Sequence, residues 1–332
     1  MGQVYNSLTP QKVRTQFLNR RIQGLMQALR LHEYGNLDHV HLDTIPDFAA
    51  GAGQILVRNH ASGVNPVDWK VALGHIQPPW ALPVTLGWDS AGVVEAVGDG
   101  VSTVKVGDRV FGFPNFIKAG AHATQQLFTE DEVVPLPDAV SFAQGACLPV
   151  AGLTAWQSLF NTANLQAGQA VLIHAAAGAV GSLAVQLAKQ AGAYVIATAS
   201  SAKHGLVRSL GADQIIDYRT ASFESVVRGV DVVLDTVGGE VQTKSYKVLK
   251  PGGYIVSTVH PPDAAQLDAQ GLHGSIVSVT PAVATLMEIV RRASTGELVI
   301  VIDRTLPASD FRDAFDYSLT GRAQGKIILA WD

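Results

Sequence analysis

Cysteine is almost absent. Cys147 is the single one in 332 residues, so neither an internal disulfide nor a thiolate-rich metal centre can form. Charge is scarce as well: charged residues are 16% of the chain, where roughly 25% is usual. Lys plus Arg number 24 against 28 Asp plus Glu, a net charge of −4 with a pI near 6.2. No basic excess is present to counter a phosphate backbone, which disfavours a general nucleic-acid binder. Long apolar runs are missing too. The closest approach, 170–188, is broken by His174, Gly178, Gly181, Ser182 and Gln186, and fits a buried strand turning into a helix rather than a membrane span. Internal repeats and low-complexity tracts are lacking. What is plentiful is apolar residue, 47%, in a chain about twice the ~150 residues of one typical domain, so two well-packed domains are expected. These features describe a reduced, metal-poor protein of the cytoplasm with no membrane partner.

Residues 1–25 form a basic N-terminal extension with Lys12, Arg14, Arg20, Arg21 and no acidic residue; Thr9-Pro10 reads as a helix start before Val13, Phe17, Leu18 and Ile22. The segment has transit-peptide character, which leaves organelle import open, and a dispensable extension ahead of a start at Met26 accounts for it equally well. From 26 to about 138 short strands broken by Gly, Pro and Asn are expected, among them 54–58, 91–97 and 109–113. After Pro149 the rhythm changes. Short apolar strands at 170–174, 194–197, 214–217, 231–237, 254–258 and 275–279 alternate with helical stretches reaching 190, 210 and 249. This is the pattern of a doubly wound parallel sheet buried on both faces. A helix over 282–292, a strand over 299–302, a helix over 310–319 and a strand over 326–330 close the chain.

The first strand of the alternating part runs into Ala175-Ala176-Ala177-Gly178-Ala179-Val180-Gly181. Gly178 and Gly181 stand at the second and third glycine positions of the dinucleotide fingerprint, with Ala176 at the first. Glycine at 178 lets a pyrophosphate approach the backbone, the N–H groups of Ala179, Val180 and Gly181 at the helix start face it, and glycine at 181 lets helix and strand pack closely. At the end of the second strand a bare ribose would need an acidic acceptor, and none stands there. Ser200, Ser201 and Lys203 occupy the place, with Arg208 a turn later; hydroxyls plus a cation suit a 2′-phosphate, so NADPH is the expected cofactor. The alternative is that Lys203 is a solvated helix-start lysine. Tyr218, ending the next strand, either flanks the adenine or is an ordinary edge tyrosine.

With these residues the chain resembles the zinc-independent, quinone oxidoreductase-like branch of the medium-chain dehydrogenase/reductase superfamily. The resemblance extends from Met26 to Trp331 and rests also on Gly63-Val64-Asn65-Pro66-Val67-Asp68-Trp69-Lys70, Gly87-Trp88-Asp89-Ser90-Ala91-Gly92-Val93-Val94, Val106-Gly107-Asp108-Arg109-Val110, Leu153-Thr154-Ala155-Trp156, Leu210-Gly211-Ala212-Asp213, Asp235-Thr236-Val237-Gly238-Gly239 and Pro251-Gly252-Gly253. It implies an α/β protein with a GroES-like β-rich substrate domain, 26–149 and 281–332, interrupted by a Rossmann domain, 150–280, with the active site between them and a homodimer as the assembly. It also implies cofactor contacts at Lys70, Val237, Val259 and Lys326. The zinc-dependent relatives need a Cys near Asn65, a His-Glu pair where this chain has Trp88-Asp89, and four clustered cysteines. All are absent, so no metal is expected.

Hydride addition to an isolated ketone leaves a localised alkoxide, which calls for a Lewis acid or a well-placed proton donor. Addition to the β-carbon of an enone, alkenal or quinone leaves a delocalised enolate that a few hydrogen-bond donors stabilise. The resemblance implies the second chemistry with NADPH, and puts Asn65 and Lys70 beside the nicotinamide as catalytic residues stabilising the enolate oxygen. Asn65 as a turn residue and Lys70 as a solvated side chain are the plain alternatives. Trp69, His75, Trp80, Trp88 and His260 are expected to border an aromatic substrate pocket. No tyrosine stands near 75–76 to serve as proton donor. Two other functions fit the same pattern: a low-turnover NADPH-binding structural or RNA-associated protein, and a metal-free alcohol dehydrogenase.

Overall fold

The computed structural model describes residues 24–118 and 120–331; the basic segment expected over 1–25 lies outside it except for its last two residues. The first strand, β1 (Leu25–Leu31), pairs antiparallel with β2 (Val40–Pro46) and β4 (Val84–Thr85) in a small sheet. A larger sheet is built on β3 (Ile55–Val64), which pairs antiparallel with β5 (Asp89–Val97) and β7 (Gln125–Phe128); β6 (Arg109–Gly112) and β8 (Val133–Pro135) extend it beyond β5. Between β3 and β4 lies α1 (Pro66–Ala72). Its start is written in the sequence: Pro66 sits in the first turn, and Asn65 and Asp68 form a capping box in which the Asp68 carboxylate accepts the Asn65 N–H at 2.7 Å.

After α2 (Pro149–Trp156) the chain enters a six-stranded parallel sheet in the order β11–β10–β9–β12–β13–β14. Its strands are β9 (Ala170–Ile173), β10 (Tyr194–Thr198), β11 (Gln214–Ile216), β12 (Val230–Asp235), β13 (Leu249–Ser257) and β14 (His273–Ile276). The expected doubly wound sheet is therefore present. Strand β9 is almost wholly buried, as its unbroken apolar sequence requires, and is followed by α3 (Ala179–Gln190). Because β10 and β12 flank β9 on opposite sides, the order of connection reverses there, and a crevice opens at the carboxyl ends of these strands.

Three expected boundaries move. The helix after β12 is α5 (Gly239–Ser245, with α4 being His204–Ser209), and β13 starts already at Leu249, which pairs with Val230 and buries its side chain. The strand expected over 299–302 is β15 (Ile302–Pro307): Val299 has its N–H and its carbonyl bonded to the Gln186 side chain, at 2.7 and 2.9 Å, and is not free to join a ladder. The helix α6 (Val283–Ser294) sets Ile289 against Gly152 of α2 and bonds Gln190 of α3 through Arg292, so it packs on the parallel-sheet unit. The return to the first unit is made by β15 and by β16 (Lys326–Ala330), which pairs antiparallel with β3, and by α7 (Phe311–Leu319) between them.

Candidate active site

A cavity of about 1240 Å³ lies between the two units, lined by residues of both. That exceeds the ~300–1,000 Å³ of a pocket for one drug-sized ligand, so two molecules can share it. One end is made by the parallel sheet. Gly178, Ala179, Val180 and Gly181 line it, with Thr198, Tyr218, Val237 and Val259 from the carboxyl ends of neighbouring strands. Among the described residues no side chain caps α3, so its first-turn N–H groups and positive dipole end open directly on the cavity. A Cβ on Gly178 would touch only the Ala175 carbonyl, at 3.3 Å, but one on Gly181 would come within 2.4 Å of it, so helix and strand can meet here only through glycine. The missing first glycine is handled one residue earlier, where Ala175 takes φ 48° and makes the tight turn. His174, beneath the turn, is fully buried between the hydroxyls of Thr198 and Ser245, and burial, partly opposed by Asp235, lowers its pKa to about 4. These features fit the pyrophosphate of a dinucleotide.

The other end is apolar. Val64, Pro66, Val67, Ile76, Phe113, Phe116, Ile117 and Val150 line it, and Trp88 closes it from behind, stacked on Phe116 with 5.1 Å between ring centroids. Trp69 lines it too, with its indole N–H donated to Ser318 at 3.1 Å. Lys70 projects from α1 into this wall. Its ammonium lies 5.7 Å from the Trp69 ring centroid and, among the described residues, has no hydrogen-bond or ion-pair partner. Burial lowers its pKa.

Asn65 also lines the cavity, in a different role from the one expected. Its Nδ2 donates to Asp89 Oδ2 at 2.7 Å and to the Gly63 carbonyl at 3.2 Å, and its Oδ1 accepts from Lys326 Nζ at 2.6 Å. Both amide hydrogens are engaged, so Asn65 has none left to donate to an enolate oxygen. Lys326, expected at the cofactor, is instead buried behind Asn65, with its ammonium 2.6 Å from Asp89 Oδ2. Asp89 also accepts the Val150 N–H at 2.6 Å, tying α2 to the same point. Deeper still, Trp331 donates to Ser62, Ser62 contacts His122 at 2.8 Å, and His122 faces Asp68 at 3.3 Å without the alignment of a hydrogen bond. Ser62, His122 and Asp68 are fully buried, so this Ser-His-Asp set supports α1 from below and offers no nucleophile.

Several other expected residues stand off the cavity wall. Trp80 stacks behind Trp88 and donates to the Ile117 carbonyl; His75 follows α1 with its N–H on the Lys70 carbonyl, and Ile76 takes the wall position. His260 is held through its carbonyl by Gln242, leaving the wall to Val259. Ser200 is buried at a helix start, and Ser201 gives its N–H to Asp217 at 3.1 Å. Lys203 donates to the carbonyls of Arg322 and Ala323 at 2.7 and 3.0 Å, so it is not a solvated lysine. At the end of β10 stands instead Asp217, from just beyond β11, accepting the Ser201 N–H, with Arg219 over the neighbouring Tyr218 ring. Hydrogen bonds to the Arg219 and Ser201 N–H groups hold the Asp217 carboxyl below the usual range. The lining residues Phe113, Phe116, Ile117, Thr154 and Ser318 are additional to the expected set; only Thr154 falls in a quoted motif, Leu153-Thr154-Ala155-Trp156, which gave no signal for a place on the cavity wall.

A two-unit chain with a parallel-sheet dinucleotide crevice facing an apolar reaction pocket is an oxidoreductase by class, and the comparisons name the family. Residues 51–138 match the alcohol dehydrogenase GroES-like domain, and 210–329 match the family described as zinc-binding dehydrogenase. The chain is 36% identical over 244 residues to the quinone oxidoreductase of Rattus norvegicus, covering 70% of this chain and 73% of that one. It is 36% identical over 322 residues to the 2-methylene-furan-3-one reductase of Solanum lycopersicum, covering 92% and 79%. The solved quinone oxidoreductase of Coxiella burnetii superposes with a TM-score of 0.88 at 33% identity, over 93% of this chain and all of that one. The chain belongs to the medium-chain dehydrogenase/reductase family, in its quinone oxidoreductase type. Its fold implies a nicotinamide cofactor and a small-molecule substrate. The residues present do not fit the zinc of the family's description. Among the described residues no three His, Cys, Asp or Glu converge, and Lys326 already neutralises Asp89.

Proposed function

We propose that the protein is an NADPH-dependent reductase that delivers hydride to quinones or to the activated C=C bond of enones and alkenals without a metal. The observation that carries this reading is Lys70, a half-buried ammonium with no hydrogen-bond or ion-pair partner among the described residues, set beside the Trp69 ring in an apolar pocket that continues into the nucleotide end of the same cavity. The nicotinamide cofactor supplies the hydride. The uncapped α3 terminus would hold its pyrophosphate, and Trp69, Phe113 and Phe116 would exclude water from the conjugated substrate. Lys70 would hold the substrate carbonyl oxygen and stabilise the negative charge that collects there as the β-carbon is reduced; water entering past the exposed Ile117 can then protonate the α-carbon.

Lys203 and Arg219 support NADPH over NADH. The Asp217 carboxylate beside Ser201 favours the second reading, NADH, because it can accept from a free ribose hydroxyl and repels a phosphate. Fluorescence titration of both cofactors decides. NADPH should bind at least about tenfold more tightly, with the preference lost in Lys203→Ala and enlarged in Asp217→Asn; equal affinities, or a preference for NADH, contradict the assignment. Initial rates with enones, alkenals, quinones and saturated ketones separate the remaining functions. Binding without turnover would mark a low-turnover nucleotide-binding protein, and NADP-dependent oxidation of alcohols a metal-free alcohol dehydrogenase.

A further inference from the structure

We propose that Glu132 is a positioning residue for the substrate: it sets the Phe116–Ile117 wall of the reaction pocket, and so gives the protein a preference for conjugated carbonyls that carry an apolar chain beyond the reacting double bond. The proposal rests on the reductase reading above and concerns which acceptors that reductase favours.

The chain leaves β6 at Gly112 and runs from Phe113 to Lys118 without helix or strand, yet Phe113, Asn115, Phe116 and Ile117 all line the cavity. A segment with no ladder of its own must find its hydrogen bonds elsewhere. The Phe116 carbonyl accepts the Trp88 indole N–H at 3.0 Å, the Ile117 carbonyl accepts that of Trp80 at 2.6 Å, and the Ile117 N–H is donated to Asn115 Oδ1 at 3.1 Å. The other ties lead to one residue. Glu132, just before β8, accepts the Phe113 N–H at its backbone carbonyl at 3.0 Å, and its Oε1 accepts the Asn115 N–H at 2.9 Å and the Lys118 ammonium at 2.8 Å. Its Oε2 accepts the Thr129 N–H at 2.9 Å, which fixes the carboxylate to its own turn. Glu132 is 2% exposed, a burial that a glutamate tolerates only when it is paired in this way. A carboxylate is what the place demands, because a glutamine would turn its NH2 either against the Thr129 N–H or against the Asn115 N–H and the Lys118 ammonium. Glu132 does not itself line the cavity, so it acts on a substrate through the segment it holds. What that segment offers is apolar: Phe116, stacked on Trp88, and the exposed Ile117. A polar tail gains nothing against them, whereas each methylene laid on them leaves water.

The test is a chain-length series. Values of kcat and KM are measured for 2-alkenals and 2-alkyl-1,4-benzoquinones of increasing chain length on wild type, Glu132→Gln and Lys118→Met, together with the affinity of each protein for NADPH and NADH. In wild type, kcat/KM for the class it reduces should climb with chain length by up to about fourfold per methylene, the scale of burying one CH2. Glu132→Gln should flatten the climb: KM of the longest member rises about tenfold, while its kcat, the shortest member and cofactor affinity stay within about twofold. Lys118→Met removes only the half-exposed ion pair and should cost the longest member about threefold in KM. An equal loss for short and long members in Glu132→Gln, or a loss of cofactor affinity, would assign a purely structural role and overturn the proposal. Wild type indifferent to chain length, or an unchanged KM of the longest member in Glu132→Gln, would also overturn it. If Glu132→Gln does not fold, Lys118→Met decides alone, and an unchanged climb there is the contrary result. Wild type that binds cofactor but reduces neither class would instead refute the reductase reading, and this proposal with it.

Discussion

At the scale of single residues, Lys70 is the side chain on which the proposed chemistry turns. Burial favours its neutral form and holds its pKa below the ordinary 10.5, so it loses its proton at a lower pH than a solvated lysine would. If the positive charge stabilises the enolate oxygen, kcat/KM falls on the alkaline side with an apparent pKa below 10.5. In Lys70→Met that alkaline limb disappears, and kcat/KM drops by roughly 10²-fold, as is typical of one lost electrostatic donor. A pH–rate profile of both proteins checks this; full activity in the variant contradicts it. The motif Asn65-Pro66-Val67-Asp68-Trp69-Lys70 made Lys70, Asn65 and the start of α1 legible in the sequence. It could not show that the Asn65 amide is already engaged by Asp89 and Lys326, because those partners lie 24 and 261 residues away. Lys326 gave one local signal, a lysine opening an otherwise apolar buried strand, which points to burial with a counter-charge but not to Asp89 as that charge.

Among the elements, the turn from β9 into α3 was the most legible, since a parallel strand, two glycines and a helix start occupy consecutive positions. Its support was not. His174 is held neutral by burial, with a folded-state pKa of about 4 against an ordinary 6.5. The unfolded chain therefore binds this proton first as pH falls, so stability is full above about pH 6.5 and is lost between 6.5 and 4, by at most roughly 3 kcal/mol. Urea unfolding at several pH values in this window should show the loss in wild type and a flatter dependence in His174→Gln. Identical slopes would mean that other groups govern the acid response. Strand β15 illustrates the opposite case: Val299 has the β-branched, apolar character of a strand residue, yet Gln186 from α3 occupies its backbone. Local propensity yields there to a contact 113 residues away.

Over the whole molecule, the two-unit architecture could be read from the change in rhythm after Pro149, but the way the units are joined could not. Gly325 bonds Ala177 at 2.8 Å and Lys203 holds the Arg322 and Ala323 carbonyls, so the segment before β16 ties the substrate unit to the dinucleotide turn. A 2′-phosphate at Lys203 would compete with these carbonyls, so cofactor binding and the seating of this segment should be coupled. Hydrogen exchange at 320–325 should change when NADPH binds, and change less with NADH; equal responses contradict the coupling. At the far side, among the described residues, β14 pairs only with β13 and leaves Ile276 42% exposed at the sheet edge. Such an edge is usually covered, and sedimentation should find a homodimer; a monomer at micromolar concentration would leave this edge open.

In the proposed reaction hydride passes from a dihydronicotinamide to the β-carbon of a conjugated acceptor, with Lys70 holding the carbonyl oxygen. Tracing deuterium from C4-deuterated NADPH into the product of a simple enone, by NMR, tests it most directly. Deuterium is expected at the β-carbon of a saturated ketone, with the α-position filled from water and the yield falling sharply in Lys70→Met. Deuterium on the carbonyl carbon of an allylic alcohol, or labelled product formed as fast without Lys70, would contradict it.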